Sequence, residues 1–240
     1  MGDRTPGAGA RRQDGAQVVR AVILDLDGTL VDTVYGHALS WWQTLNEAEL
    51  PVAGWKVHRL IGMSGGLITQ AAAHELGRAL SNEEVERLQK RQGELYKKIL
   101  PDRRPLPGAL DLLRHLRDQK IKHAIATSGK RQDAQPSLDA LDLPADMVVI
   151  DRTEVERAKP EPDLFLASQA KLGVEPHECY VVGDAVWDLL AARRAGMLAI
   201  GLLTGGYGEQ ELAQAGAYRV YRDPAELLAS IYQLGLRGGA

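Results

Sequence analysis

The sequence has little cysteine and no long apolar run. These two shortages limit the disulfides that it can form and its association with membranes. Its single cysteine, Cys179, cannot form an internal disulfide and lies beside a strand-like apolar run, so we expect a buried thiol in a reducing compartment. No stretch approaches the roughly 20 apolar residues of a membrane span, and the first eighteen residues lack the apolar region of a secretory signal. We therefore expect a cytoplasmic protein with no membrane partner.

Neither sign of charge dominates the composition. Lysine and arginine number 29 against 32 acidic residues, giving a net charge of −3 and a pI near 6.1. A broad basic surface is therefore excluded, and no nucleic-acid partner is expected. The hydrophobic fraction of 45% and the length of 240 residues suit one large globular domain, or a core domain with a sizeable insertion. The sequence leaves monomer and homodimer open.

Short apolar runs recur along the chain and predict the strands of a parallel sheet. In the second half they alternate with helix-like segments, which is typical of βαβ units with helices on both faces of the sheet. The predicted strands are 21–26, 122–127, 147–150, 179–184 and 198–203, and the predicted helices are 109–120, 131–141, 163–173 and 186–195. The predicted fold class is α/β, with a doubly wound, Rossmann-like parallel core.

One interval interrupts this alternation. From 33 to 100 the sequence holds only helical patterns, at 38–50, 67–80 and 81–100. The last begins with SNEE, which predicts Ser81 as N-cap and Glu84 as its partner in a capping box. Because a structureless loop of this length is implausible, we predict an inserted all-helical cap domain.

The domain boundaries follow from these patterns. The segment PDRRPLPG, at 101–108, contains three prolines that stiffen the return from the insertion to the core. The predicted organisation is a disordered tail at 1–18, a core of 19–33 and 106–240, and a helical cap at 34–105.

Polar residues follow four of the predicted strands. Ligands of open α/β sheets bind outside the carboxyl ends of the strands, so these residues are expected to lie together. They are Asp25 and Asp27 after the first strand, Thr127, Ser128 and Gly129 after the second, Lys159 in AKPEPD after the third, and Asp184 and Asp188 in GDAVWD after the fourth. Each piece alone also fits a turn or a helix cap, but turn chemistry gives no reason for four such pieces to converge.

The chemistry of this set points to phosphoryl transfer. Convergent carboxylates do not stay ionised together unless a cation lies among them, and Mg²⁺ prefers hard oxygen ligands and shares the oxygens of a phosphate. Thr127, Ser128 and neighbouring backbone N–H groups suit phosphoryl oxygens, and Lys159 adds a point charge.

The motifs DLDGTL, ATS, KPEPD and GDxxxD, in this order, resemble the haloacid dehalogenase-like hydrolase superfamily, in its phosphoglycolate phosphatase and β-phosphoglucomutase-like branch. The resemblance spans roughly 19 to 230. It implies that Asp25 is the nucleophile that forms an aspartyl-phosphate, with its other oxygen on the metal. It also implies that Asp27 is general acid and then general base, and that its backbone carbonyl ligates the metal.

The remaining roles are also implied by the resemblance. Thr127 would bind the transferring phosphoryl group with the Ser128 amide, and Lys159 would offset charge on the nucleophile and the phosphoryl group. Asp184 would ligate the metal, and Asp188 would act through a metal-bound water or support that shell.

Two positions separate branches of the superfamily. The dehalogenases carry an aromatic residue where this chain has Asp27, so the aspartate indicates phosphate chemistry. His37 and Trp41 stand at a spacing similar to that of β-phosphoglucomutase, but Gly65 follows IGMS where the mutase has an arginine for the distal phosphate. This departure favours a phosphatase over a mutase.

Several residues of the insertion keep two interpretations. His37 is either a substrate-side gatekeeper that couples cap closure to Asp27 or a partly buried polar residue on a helix. The glycine-rich loop IGMSGG, at 61–66, either faces the active site or ends a helix. The four tryptophans are expected in cores rather than as ligand platforms; they are Trp41, Trp42, Trp55 and Trp187.

The predicted function is a Mg²⁺-dependent phosphatase acting on a small phosphorylated metabolite, such as phosphoglycolate or a sugar phosphate. Three alternatives stay open: a phosphomutase, a receiver-like signalling domain and a non-catalytic binding protein. A receiver-like domain would carry its phosphorylated aspartate on a different strand from its acid pair, and would have no helical insertion.

Overall fold

The computed structural model describes residues 19–236, so the predicted tail at 1–18 lies outside the described residues. Within the described range, six strands form one parallel sheet in the order β3-β2-β1-β4-β5-β6. The strands are β1 Ala21–Leu24, β2 Lys122–Ala126, β3 Val148–Ile150, β4 Cys179–Gly183, β5 Leu198–Leu202 and β6 Ala217–Tyr221. The first five were predicted, and the order reverses between β1 and β4, which is where ligands bind in such sheets.

Helices cover both faces of this sheet. The core helices are α5 Ala109–Asp118, α6 Arg131–Asp139, α7 Asp163–Leu172, α8 Val186–Arg194, α9 Glu209–Ala215 and α10 Pro224–Ala229. Val22 and Leu24 pack on the face covered by α5, α6 and α10, while Ile23 packs with α7, α8 and α9 on the other. This period of two in a strand buried on both sides confirms the doubly wound α/β fold.

Between β1 and α5 the chain forms a helical insertion, residues 34–100. Its helices are α1 Val34–Glu47, α2 Gly54–Leu60, α3 Gly65–Glu75 and α4 Asn82–Ile99. They share an apolar cluster of their own, which includes Trp41, Leu45 and Leu88. This separate cluster supports the predicted cap, whose exact domain boundaries stay a prediction.

Several predictions of helix bounds and caps can be compared directly with the structure. The capping box is confirmed, because Ser81 N donates to Glu84 Oε2 at 2.8 Å and Glu84 N donates to Ser81 Oγ at 3.2 Å. The predicted helix 38–50 begins earlier, at Val34, and ends at Glu47. The predicted helix 67–80 ends at Glu75, because Gly77 adopts a φ of +69°.

Burial of the cysteine is confirmed, and Cys179 is free. The expectation for the tryptophans is wrong at two positions, since Trp55 is 67% exposed and Trp42 is 43% exposed. None of the helices in residues 19–236 has the length and apolarity to span a bilayer.

Candidate active site

Three aspartates are buried together where β1 and β4 end. Asp25 directly follows β1, and its N–H donates to Val182 O at 2.9 Å, which continues the sheet ladder and fixes its position. Asp184 directly follows β4, and Asp188 lies in the first turn of α8. One carboxylate oxygen from each of the three aspartates lies within 4.8 Å of the other two.

Lys159 is the cation that contacts this cluster. Its Nζ contacts Asp25 Oδ1 and lies 2.8 Å from Asp188 Oδ1, and its side chain is only 1% exposed. Burial opposes the charge on Lys159, but the carboxylates of Asp188 and Asp25 outweigh burial and raise its pKa. The lysine is therefore held as an ammonium between two carboxylates.

One ammonium does not balance three carboxylates. Burial raises the pKa of Asp25 from 3.8 to about 7, although Lys159 favours the ionised form. Burial, with the charges of Asp188 and Asp25, raises the pKa of Asp184 well above its usual range. A divalent cation among these oxygens would restore the ionised forms, so the donor set fits a hard metal ion such as Mg²⁺.

Two glycines and a threonine shape the wall beside Asp184. A Cβ placed at Gly205 would lie 2.1 Å from Asp184 Oδ2, and one at Gly28, whose φ is +86°, would lie 2.4 Å from the same oxygen. Thr29 Oγ1 donates to Asp184 Oδ1 at 3.0 Å. Sequence reasoning missed all three residues, although the GT directly after the acid pair was an available signal for Gly28 and Thr29.

Asp27 belongs to a different part of the site, because its carboxylate is not part of the three-aspartate cluster. Thr33 Oγ1 donates to Asp27 Oδ1 at 2.7 Å, and His37 Nε2 lies 3.5 Å from the same oxygen. Burial alone would raise the pKa of Asp27, but the contacts with His37 and Thr33 hold it below its usual value. The metal contact assigned to its backbone carbonyl stays a prediction.

The segment after β2 lies at the same edge of the sheet. Thr127 is 1% exposed, its N–H donates to Ile150 O at 3.0 Å, and its Oγ1 accepts from Gly129 N at 3.0 Å. Ser128 Oγ donates to Gly62 O, in the glycine-rich loop of the insertion, at 3.0 Å. That loop therefore faces the core, and the phosphoryl-binding roles of Thr127, Ser128 and Gly129 stay predictions.

The insertion also contacts the segment after β5 and the start of α8, both beside the aspartates. His58 Nε2 lies 2.9 Å from Gly205 O, the residue that packs on Asp184. Trp187 Nε1 and the Tyr207 hydroxyl both donate to Arg59 O, at 2.9 and 3.0 Å. Trp187 is thus an insertion contact as well as a packing residue, and the insertion lies closed over the strand ends.

Comparison with known proteins agrees with this geometry. A family model described as haloacid dehalogenase-like hydrolase matches residues 19–196. The chain is 34% identical over 219 residues to a phosphoglycolate phosphatase of Rhodospirillum rubrum, covering 87% of this chain and 89% of that protein. It is 32% identical over 224 residues to a β-phosphoglucomutase of Bacillus subtilis, covering 87% and 92%.

A solved hydrolase from Pseudomonas syringae superposes with a TM-score of 0.86 at 42% identity, covering 90% of this chain and 99% of that one. The resemblance predicted from the motifs is confirmed, and the chain belongs to the haloacid dehalogenase-like hydrolases.

Proposed function

We propose that this chain is a Mg²⁺-dependent phosphatase that hydrolyses a small phosphomonoester through an aspartyl-phosphate on Asp25. The observation that carries the proposal is the buried contact of Asp25 with Lys159 beside Asp184 and Asp188. A carboxylate in a merely structural ion pair would not need two further buried carboxylates beside it. The arrangement suits a nucleophile that faces an anionic group next to a metal.

In the first step an Asp25 oxygen attacks phosphorus, the ester P–O bond breaks, and the leaving oxygen takes a proton from Asp27. The Lys159 ammonium offsets the charge that gathers between the nucleophile and the phosphoryl group. Asp25, Asp184 and Asp188 would hold Mg²⁺, which supplies neutralising charge and polarises a phosphoryl oxygen. Thr127 and the backbone N–H of Ser128 would orient the transferred group, and Gly129, whose N–H donates to Thr127 Oγ1, would hold the threonine hydroxyl in place.

In the second step water attacks phosphorus, Asp27 accepts a proton from that water, and the Asp25 carboxylate leaves. The contacts with Thr33 and His37 favour the carboxylate form of Asp27, which is the form this step requires. A phosphoryl dianion beside Asp27 raises its pKa through like-charge repulsion, which favours the acid form for the first step.

The closed insertion supports a small substrate. Contacts of Ser128, Trp187 and Tyr207 with the insertion cover the strand ends. Such a cover excludes bulk water during the chemistry. A small phosphorylated metabolite is therefore the proposed partner of a cytoplasmic enzyme that acts as a monomer or homodimer.

Phosphomutase activity is the second candidate, favoured by the similarity to the Bacillus subtilis β-phosphoglucomutase. Position 65 argues against it. A Cβ at Gly65 would lie 2.8 Å from Trp41 Cζ2 and 3.2 Å from Gln89 Cγ. The space that a distal-phosphate arginine would need there is filled.

The test is phosphate release from a panel of small phosphomonoesters, including phosphoglycolate and sugar phosphates, with Mg²⁺ and with excess chelator. Wild type should release phosphate only with the metal, and Asp25→Asn should lose at least about 10⁴-fold. Release that survives Asp25→Asn would refute the aspartyl-phosphate mechanism. Isomerisation of a sugar phosphate in place of release, with a bisphosphate activator, would select the mutase.

A further inference from the structure

A stack of three side chains leads away from Asp27 and has no assigned role. The His37 and Tyr96 rings are parallel within 14°, with centroids 3.9 Å apart. The Arg103 guanidinium carbon lies 4.2 Å from the centroid of the same Tyr96 ring. Two planar groups this close to one ring must lie on its two opposite faces, so Tyr96 is enclosed between His37 and Arg103.

The orientation of the His37 ring is fixed from its other side as well. Gln92 Nε2 donates to Ser40 Oγ at 2.8 Å and lies 3.4 Å from His37 Nδ1. In a neutral imidazole, an amide N–H directed at Nδ1 favours the tautomer with the proton on Nε2. The protonated nitrogen is the one that faces Asp27 Oδ1.

Close packing of α1 on α4 makes the stack possible. A Cβ at Gly36, the residue before His37, would lie 3.0 Å from Leu100 Cδ2 and 3.2 Å from Tyr96 Cε2. Tyr96 is 5% exposed. A larger residue at position 36 would therefore require Leu100 or Tyr96 to shift by a few tenths of an ångström.

The stack also joins the two segments that connect the insertion to the core. His37 lies in the first turn of α1, Tyr96 in the last turn of α4, and Arg103 in the return segment. Two backbone hydrogen bonds join these segments. Asp32 N donates to Arg104 O at 2.9 Å, and Leu106 N donates to Leu30 O at 2.8 Å.

Hydrogen bonding at two of its nitrogens does not explain the position of Arg103. Its Nε and Nη1 atoms are buried and make no hydrogen bond within residues 19–236. Packing of a guanidinium on an aromatic face is favourable, and it is strongest where water is excluded. The described contacts of Arg103 therefore point to support of the Tyr96 ring.

We propose that Tyr96 and Arg103 are positioning residues, which hold the His37 imidazole against Asp27 and so orient the proton donor. This inference rests on the proposed function, in which Asp27 protonates the leaving oxygen. A carboxylate displaced by a fraction of an ångström loses much of its effect as a general acid. The stack thus connects the proton-transfer group to the two segments that join the insertion to the core.

The kinetic test compares two leaving groups. An alkoxide needs a proton from Asp27, whereas nitrophenolate leaves without one. Tyr96→Leu removes the ring, and we expect about a tenfold slower single turnover of an alkyl phosphate with a less than twofold change in the nitrophenol burst. Tyr96→Phe keeps the ring and should restore the alkyl phosphate rate.

Arg103→Met tests the outer member of the stack, with Arg104→Met, an exposed neighbour in the same segment, as the matched control. We expect a threefold to tenfold loss on the alkyl phosphate for Arg103→Met, a range typical of a lost cation–π contact, and no loss for Arg104→Met. Melting temperatures of all variants identify any that are merely unfolded. Equal losses on both substrates, or a Phe variant as slow as the Leu variant, would overturn the proposal.

An NMR measurement without substrate tests the positioning role separately from the proposed phosphatase activity. In wild type, Asp27→Asn should shift the NMR signals of the His37 imidazole nitrogens, because the ring contacts that carboxylate. In a protein that also carries Tyr96→Leu, Asp27→Asn should shift the His37 signals by less than half as much. An undiminished shift would refute the positioning role even if no substrate is ever turned over, whereas an inert wild type with a diminished shift would refute only the phosphatase.

Discussion

The two halves of the site shift the pKa of an aspartate in opposite directions. In the carboxylate half, made of Asp25, Asp184, Asp188 and Lys159, burial raises the pKa of Asp25 and of Asp184. In the proton-transfer half, the contacts of Asp27 with Thr33 and His37 outweigh burial and lower its pKa. Asp25 and Asp27 are two residues apart, so environment and not sequence position decides the charge state of each. In the first half a cation is what would favour the ionised carboxylates, whereas in the second half hydrogen bonds do so.

Beyond the loss already expected for Asp25→Asn, the largest effect is expected in the carboxylate half, from Lys159→Met. Removing the ammonium leaves buried carboxylates unpaired, which typically costs about 3–5 kcal/mol, or about 10 °C in melting temperature for a chain of this size. Loss of charge next to the phosphoryl group should lower kcat by about 10³-fold. Phosphate release and thermal unfolding measure both effects.

Lys171→Met, at an exposed lysine of α7, is the control and should change neither quantity. A Lys159→Met variant with wild-type kcat would show that the ammonium has no part in the chemistry.

Asp184→Asn should separate stability from activity in the same half. The substitution removes an acid whose ionised form is disfavoured by burial and by the charges of Asp188 and Asp25, and the amide oxygen can still accept from Thr29. Metal-free protein should therefore melt about 2–4 °C higher, while phosphate release falls about 100-fold. Scanning calorimetry with and without Mg²⁺ checks this, because the melting shift caused by the metal should shrink. A variant that melts lower without metal would contradict the assigned electrostatic strain.

The increase in melting temperature that Mg²⁺ causes should depend on pH, and this dependence tests the carboxylate half further. Folding raises the pKa of Asp25 from 3.8 to about 7, so its contribution to stability is complete below pH 3.8 and is lost as pH rises through about 7. Mg²⁺ should restore it by stabilising the carboxylate. The increase in melting temperature on adding Mg²⁺ should therefore be larger at pH 8 than at pH 5.5. An equal or smaller increase at pH 8 would mean that the ion binds elsewhere.

The smallest effect is expected in the proton-transfer half, from Thr33→Val. The change removes the hydrogen bond to Asp27 Oδ1 at 2.7 Å and keeps the shape of the side chain. A bond of this kind is worth about 0.5–1.5 kcal/mol, so turnover of an alkyl phosphate should fall about threefold to tenfold. The melting shift caused by Mg²⁺ should stay as in wild type. If that shift changed as well, the two halves would not be independent.

The carboxylate half was predictable because Asp25 and Asp184 directly follow buried strands, and Lys159 and Asp188 lie further along the segments that follow β3 and β4. In a parallel sheet the carboxyl ends of neighbouring strands meet at one edge, so Asp25 and Asp184 come together whatever the loops do. The edge strand β6 was not predicted, because AYRVY alternates poorly and its middle residues are exposed. Helix α2 was missed because seven residues are too few for a helical period to show.

The proton-transfer half was only partly predictable. His37 could be proposed from its spacing, but its two interpretations could not be separated. Its contact with Tyr96 depends on how the end of α4 packs on the start of α1, and the two residues are far apart in the sequence. Side-chain contacts between distant helices are set by tertiary packing, which no local pattern reports.

The insertion leaves the core at residue 33 and returns beside it, with Asp32 and Arg104 joined through the backbone. Because its two ends lie side by side, the whole helical insertion is equivalent to one long surface loop between elements of the core. The entropic cost of closing such a loop grows only slowly with its length. Segments of quite different size and sequence can consequently be exchanged at this junction during evolution, while the residues at the strand ends of the core are inherited unchanged.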